Sequence, residues 1–171
     1  LHYPLRRQRQ MCIRDSPNAW GNGKVKNMWM IYKEFSFEAA HRLPHHEGKC
    51  RRLHGHSFRG RVYVVSDQLK TQGSETGMVM DFGTLKAYLD PLVKDYLDHY
   101  YLNDSLGLES PTSEAIAAWI FQKLSDQGLP GLHSVEILET CTSAARYFSP
   151  QLSSLLDTVA IPAAATDPEL P

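Results

Sequence analysis

The chain has 171 residues, of which 42% are hydrophobic and three are cysteines, and its formal net charge is −1 at neutral pH. That length fits one ordinary domain able to bury a core without disulfide staples, and no stretch approaches the roughly eighteen uninterrupted apolar residues of a membrane span. Cys12, Cys50 and Cys141 form an odd, sparse set, which suits a reducing, cytoplasmic compartment better than a disulfide framework.

The first 27 residues hold six Lys or Arg against Asp15 alone, whereas the remainder has 12 basic and 18 acidic side chains. The near-neutral total therefore hides an acidic body behind a basic leader. The leader, 1–29, lacks the apolar segment of a signal peptide and is expected to be disordered or upstream sequence, with the natural start at Met28 or Met30. An acidic body disfavours nucleic acid as a partner.

From Ile31 the odd positions Phe35, Phe37, Ala39 and His41 share one face of an extended run, and Glu34, Ser36 and Glu38 share the other. A charged loop follows. LHGHSFRGRVYVVSD then resumes the extended pattern, with His54 and His56 on one face and Gly55 and Gly60 permitting a bulge or a close approach. Asp81 is positioned to cap a helix whose buried stripe is Leu85, Leu89, Leu92, Val93 and Tyr96, with a kink or break expected at Pro91. LNDSLGLES reads as a loop. A second helix follows, with Ser110 as N-cap, Pro111 at its first position and Ile116, Trp119, Ile120 and Leu124 inward; Gly128 to Gly131 end it. LHSVEILET and ARYFS are two further strands, joined by the CTSA turn. The segment 151–171 is expected to be a loose tail.

This order gives an α+β fold in which two helices cover one face of a four-stranded antiparallel sheet. Val135, Ile137 and the aromatics are not expected all to point at the helices, so oligomerisation is expected to bury the uncovered face and the sheet edges.

His54 and His56 offer two imidazole nitrogens from one strand face, and His41 offers a third from the neighbouring strand. Three such ligands with an open fourth position are the pattern of catalytic zinc. Cys50 has two readings on spacing alone. It completes a closed, structural Cys-His₃ site, or it stays unligated among Lys49, Arg51 and Arg52, charges that suit a reactive thiolate. His45, His46 and His133 lack comparable placement, and Cys141 reads as structural. Asp98 beside His99 can orient an imidazole for proton transfer. Glu139, at the end of an apolar strand, is either a solvated strand end or a carboxylate able to accept two parallel N–H bonds from a planar heterocycle. Glu114 reads as a first-turn acid.

The pieces FSFEAAHRL, CRRLHGHSF, MDFGTLK, LDHYYLND, PTSEAIAAWI and ETCTSAARY, in order over residues 30–150, resemble the zinc-dependent 6-pyruvoyl-tetrahydropterin synthases and their bacterial relatives, the 6-carboxy-tetrahydropterin synthases of queuosine biosynthesis. The resemblance implies the tunnelling fold (T-fold), with subunits joining their sheets into a β-barrel as a hexamer of two trimers. It implies Zn²⁺ on His41, His54 and His56, catalysis by Cys50, Asp98 and His99, and substrate binding by Glu139, Thr112 and Ser113. The implied substrate is a pterin triphosphate, 7,8-dihydroneopterin triphosphate. The compact Cys-x₃-His-x-His spacing, AHRLPH, LDHxYLN and ETCT are similar to the carboxy-forming branch, whose products are 6-carboxy-5,6,7,8-tetrahydropterin, acetaldehyde and triphosphate. The alternatives are the pyruvoyl-forming enzyme and, from another class, a zinc-stabilised binding module without catalysis. Arg42, Lys49, Arg51, Arg52, Arg59 and Arg61 are the only dense basic stretch beyond the leader, and alternation forbids all of them from meeting a triphosphate.

Overall fold

The computed structural model describes residues 28–148. The basic leader falls outside these residues up to residue 27, as does the whole tail at 151–171. The elements are β1 (Trp29–His41), β2 (His54–Ser66), α1 (Phe82–Leu92), the short α2 (Leu102–Ser105), α3 (Ser113–Asp126), β3 (Leu132–Leu138) and β4 (Ala144–Phe148). One four-stranded antiparallel sheet runs in the order β1-β2-β3-β4.

Alternation sets which face is buried. In the β1–β2 ladder Phe37 lies opposite Phe58, Ala39 opposite His56 and His41 opposite His54. These inward residues continue into Val62, Val64, Val135 and Ile137, and the face they form is covered by Leu85, Leu89 and Leu92 of α1 and Ile116, Ile120 and Leu124 of α3. Each fully buried side chain of this size contributes about 1.5–3 kcal/mol. Gly60 makes room for the Phe35 ring across the strand, since a Cβ there would stand 2.3 Å from it and force the ring to move.

Val135 and Ile137 are two positions apart in β3, so both point at the helices and both are wholly buried. The uncovered face mixes aromatics with ion pairs: Met30 and Tyr32 are exposed on it, and the Tyr32 and Tyr63 ring centroids lie 5.6 Å apart. Arg61 Nε donates to Glu34 at 2.8 Å, and Arg146 donates to Glu136 at 2.9 Å and to the Tyr63 hydroxyl at 2.7 Å. The Arg146 guanidinium also lies 4.2 Å over the Tyr63 ring, a cation–π contact.

The helix starts and stops differ from the sequence pattern in three places. Asp81 caps α1 by accepting from the Gly83 amide at 2.7 Å, as its position suggests. The N-cap of α3 is Thr112, not Ser110; its hydroxyl accepts from the Ala115 amide and Pro111 lies just outside the helix. The chain runs through Pro91 without a break, then widens into a π turn at Val93–Leu97 closed by Asp98 N–H to the Val93 carbonyl. The extra residue in that turn moves the apolar stripe by one. Leu97 is buried where Tyr96 was expected, and Tyr96 stands exposed beside the half-buried Trp119. The stretch expected as loop contains α2, a single turn anchored by the buried Leu102.

Candidate metal centre and its surroundings

His41 ends β1, and His54 and His56 open β2, so the register that pairs the strands gathers their rings on the covered face. The ring centroids of His41 and His54 are 4.5 Å apart, those of His54 and His56 5.0 Å, and those of His41 and His56 5.2 Å. Phe58 meets the edges of His41 and His56 and closes the floor.

Main-chain carbonyls fix two of the tautomers. His41 Nδ1 bonds to the Pro111 carbonyl at 2.8 Å and His54 Nδ1 to the Arg52 carbonyl at 2.7 Å. A carbonyl only accepts, so each Nδ1 carries the hydrogen and each neutral ring turns its Nε2 lone pair inward. Burial above all holds the His41 imidazole below its ordinary range; the Pro111 bond and Glu139 oppose this, while His54 and His56 add to it. The Nε2 atoms of His41, His54 and His56 are all buried and lack a hydrogen-bond partner. Three convergent buried nitrogens without partners are costly in a folded interior, and a cation that takes a lone pair from each removes the cost. The donor set therefore fits a metal ion.

A carboxylate belongs to the same group. The ligand atoms of His41, His54, His56 and Glu139 all lie within 4.8 Å of one another. Glu139 Oε1 is 3.1 Å from His56 Nε2 and 3.9 Å from His41 Nε2. Tetrahedral zinc with bonds near 2.0–2.1 Å separates its donors by about 3.3 Å, which these two spacings bracket. The 3.1 Å approach does not have hydrogen-bond geometry, since His56 Nε2 has no hydrogen-bond partner. Glu139 Oε2 accepts the Ser113 hydroxyl at 2.8 Å.

Cys50 sits in a tight turn at Lys49–Arg51, half-buried with a free thiol, and its carbonyl accepts from the Leu43 amide at 2.8 Å. It is not among the atoms that converge with the histidines, so the closed Cys-His₃ set is not assembled. Asp98 and His99 follow the π turn and meet the open edge of β1. Asp98 Oδ1 accepts the Glu38 amide at 2.9 Å, its Oδ2 lies 2.9 Å from His99 Nδ1, and the His99 amide donates to the Glu38 carbonyl. The Glu38 amide first, and His99 second, hold the Asp98 carboxyl below the usual carboxylate range. His99 adopts φ 63°, a left-handed conformation uncommon outside glycine, and is held there by these bonds. His99 and His56 line one open cleft of about 510 Å³ along Glu38, Ala40 and Ser57. A larger groove of about 770 Å³ runs between β1 and α1, past Lys33, Phe35, Leu89 and Val93, and includes none of the histidines.

Thr112 spends its hydroxyl on the helix cap and Ser113 lies against Glu139. Glu114 is exposed on the first turn of α3, His45 pairs with Glu109 on the surface, and His133 is buried beside Ser134. Arg59 and Arg61 alternate onto the sheet face opposite His54 and His56, and Arg61 is committed to Glu34 and Glu136. Lys49, Arg51 and Arg52 remain around Cys50.

Sequence reasoning placed Glu139 as a solvated end or a ligand anchor and missed its position beside the imidazoles. Alternation carried one step past Ile137 would have found it: the ladder pairs Arg59 with Leu138, so Glu139 falls on the next rung, at Phe58 and beside His56. The Pro111 and Arg52 carbonyls left no signal, because any residue type supplies one.

The fold is an α+β layer of the tunnelling-fold class, and its three convergent imidazoles with Glu139 form a group able to hold a metal ion. The family model described as 6-pyruvoyl tetrahydropterin synthase matches residues 30–150, and the chain belongs to that family. It is 86% identical over 129 residues, covering 75% of this chain and 100% of the relative, to the 6-carboxy-5,6,7,8-tetrahydropterin synthase of Synechocystis sp. (strain ATCC 27184 / PCC 6803 / Kazusa). The protein of that name from Haemophilus influenzae is 34% identical over 140 residues, which span 70% of this chain and 99% of the relative. Among solved structures, the 6-pyruvoyl tetrahydropterin synthase of Caenorhabditis elegans superposes with a TM-score of 0.61 at 27% identity, over 72% of this chain and 96% of that one. The Plasmodium vivax enzyme, at 17% identity and a TM-score of 0.55 over 72% and 98% of the two chains, shares the fold.

Proposed function

We propose that the chain is a 6-carboxy-5,6,7,8-tetrahydropterin synthase, a zinc-dependent carbon–carbon lyase that converts 7,8-dihydroneopterin triphosphate to 6-carboxy-5,6,7,8-tetrahydropterin, acetaldehyde and triphosphate in queuosine biosynthesis. The observation that carries the reading is the set of three buried Nε2 atoms without partners, on His41, His54 and His56, in a chain 86% identical to a relative of that name. Imidazole donors suit zinc among the divalent metals, though affinity alone does not select it.

The bound ion would act as a Lewis acid toward oxygens of the substrate side chain, lowering the pKa of a hydroxyl and steadying developing negative charge. His41, His54 and His56 would hold that ion, the first two with tautomers preset by the Pro111 and Arg52 carbonyls. Glu139 anchors the pterin through its 2-amino and N3 positions, and Thr112 and Ser113 lie at the same end of α3. Cys50 is the general base that takes a side-chain proton. His99, whose Nδ1 faces the anionic Asp98, keeps Nε2 free to relay protons to and from the side chain. Arg42, Lys49, Arg51 and Arg52 are the cations left to meet the triphosphate.

The chain would work as a homohexamer of two trimers, sheets joined into a barrel, in the cytoplasm; among the described residues no helix is long and apolar enough to cross a membrane. Product analysis after incubation with dihydroneopterin triphosphate tests the assignment. Acetaldehyde with a carboxypterin supports it, and a six-pyruvoyl product moves the chain to the other branch of the family. Cys50→Ala is expected to keep its zinc and lose turnover by at least about 100-fold, in the range of a lost general base. Loss of zinc and of the fold in that variant would return Cys50 to the role of structural ligand and favour the binding-module reading.

A further inference from the structure

Glu139 carries two demands that one carboxylate cannot meet together. Its Oε1 stands 3.1 Å from His56 Nε2 and 3.9 Å from His41 Nε2, within the donor group, and its Oε2 accepts the Ser113 hydroxyl at 2.8 Å. Anchoring a pterin through parallel bonds from its 2-amino and N3 positions needs both oxygens at once. Both are committed elsewhere here. The approach to His56 is also close yet lacks the geometry of a hydrogen bond. A cation shared between the two groups accounts for a contact that is near without being bonded.

We propose that Glu139 is a two-position carboxylate. Without substrate it is the fourth donor to the ion held by His41, His54 and His56, steadied there by Ser113. A seated pterin ring draws it away and so opens a coordination position only when the ring is in place. This inference rests on the pterin reading above. It gives Ser113 a positioning role, holding Oε2 so that Oε1 faces the imidazoles. It also makes ring recognition a condition for exposing the ion, which keeps the site closed toward oxygen ligands that lack an amino-imino edge.

The test uses the full-length protein loaded with Co²⁺, whose visible absorption reports the donor set, and 6-methyl-7,8-dihydropterin, whose side chain has no oxygen to offer the ion. The pterin is expected to change the Co²⁺ spectrum of the wild-type protein and to leave that of Glu139→Gln unchanged. Glu139→Gln is also expected to lose zinc affinity by about tenfold or more in chelator competition, the scale on which ligand-shell changes act. Ser113→Ala should lose less affinity while keeping the pterin-dependent spectral change. If calorimetry shows that the pterin binds yet the wild-type spectrum does not move, or if Glu139→Gln holds zinc as tightly as wild type, the switch is overturned. A wild-type protein that does not bind the pterin at all would overturn the pterin reading and the switch with it, while the zinc affinity of Glu139→Gln would still decide the donor role.

Discussion

His41 is wholly buried, its Nδ1 spent on the Pro111 carbonyl and its Nε2 turned to the other two rings. His41→Ala is therefore expected to lower zinc affinity by at least about 100-fold, leaving dialysed protein well below one zinc per chain by elemental analysis. Full occupancy after dialysis would argue that these rings do not hold the ion. Asp98 supports a second expectation. Its carboxyl titrates below the ordinary range because the ionised form accepts the Glu38 amide and faces His99. A depressed folded value means that the contact is complete above the unfolded carboxylate pKa and is lost as pH falls through the folded one. Hydrogen-exchange protection of the Glu38 amide, corrected for intrinsic rates, should fall over that acid window, and in Asp98→Asn it should be weaker at neutral pH and no longer follow the titration. At this scale the imidazoles were legible because His-x-His on a strand forces both rings to one face. Glu139 was legible only through a register that no single strand contains.

Thr112 ties helix geometry to the site. Its hydroxyl caps α3, while its neighbours Pro111 and Ser113 hold His41 and Glu139. Thr112→Ala should cost about 1 kcal/mol of unfolding free energy, read from denaturant midpoints, and Thr112→Ser should restore most of it. Gly131 makes the turn into β3 at φ 69°, and a Cβ there would stand 2.3 Å from the Val65 carbonyl. Gly131→Ala should cost more than about 1 kcal/mol, since strain and collision act together, and a midpoint unchanged from wild type would show that this turn relaxes freely. Strand alternation from Phe35 to His41 needed only the period of a strand, and the Asp81 cap only its local chemistry. The π turn was not legible, because a widened turn has no residue signature, and one added residue exchanged Tyr96 for Leu97. The cap of α3 was misplaced because Ser110 and Thr112 both precede the apolar stripe. Only the backbone shows that Pro111 stays outside the helix.

At the scale of the whole molecule, β1 and β4 are the two edges of the sheet among the described residues. The amides of Glu38 and Ala40 point away from β2 and are taken up by Asp98 and Tyr100. By alternation Met30, Tyr32, Glu34 and Ser36 present their backbone groups to the same edge. In the proposed barrel that edge would meet another copy, so Tyr32→Pro should leave the chain folded by circular dichroism yet lower the assembly mass by sedimentation. An undiminished mass would place the subunit contact elsewhere. The overall α+β layering was legible from element order. The ion pairs of the outer face were not, because they depend on Glu34, Arg61, Glu136 and Arg146 arriving from four different strands. The candidate metal centre has a consequence for the chain as a whole. His41 and the carbonyl that orients it are 70 positions apart, and Glu139 follows α3 and β3 in the sequence. The pocket therefore exists only where these distant segments have met. An ion bound there favours the finished chain over every unfinished one, by about 4 kcal/mol when free metal exceeds its dissociation constant a thousandfold. Metal occupancy would thus count the molecules in which those segments have met.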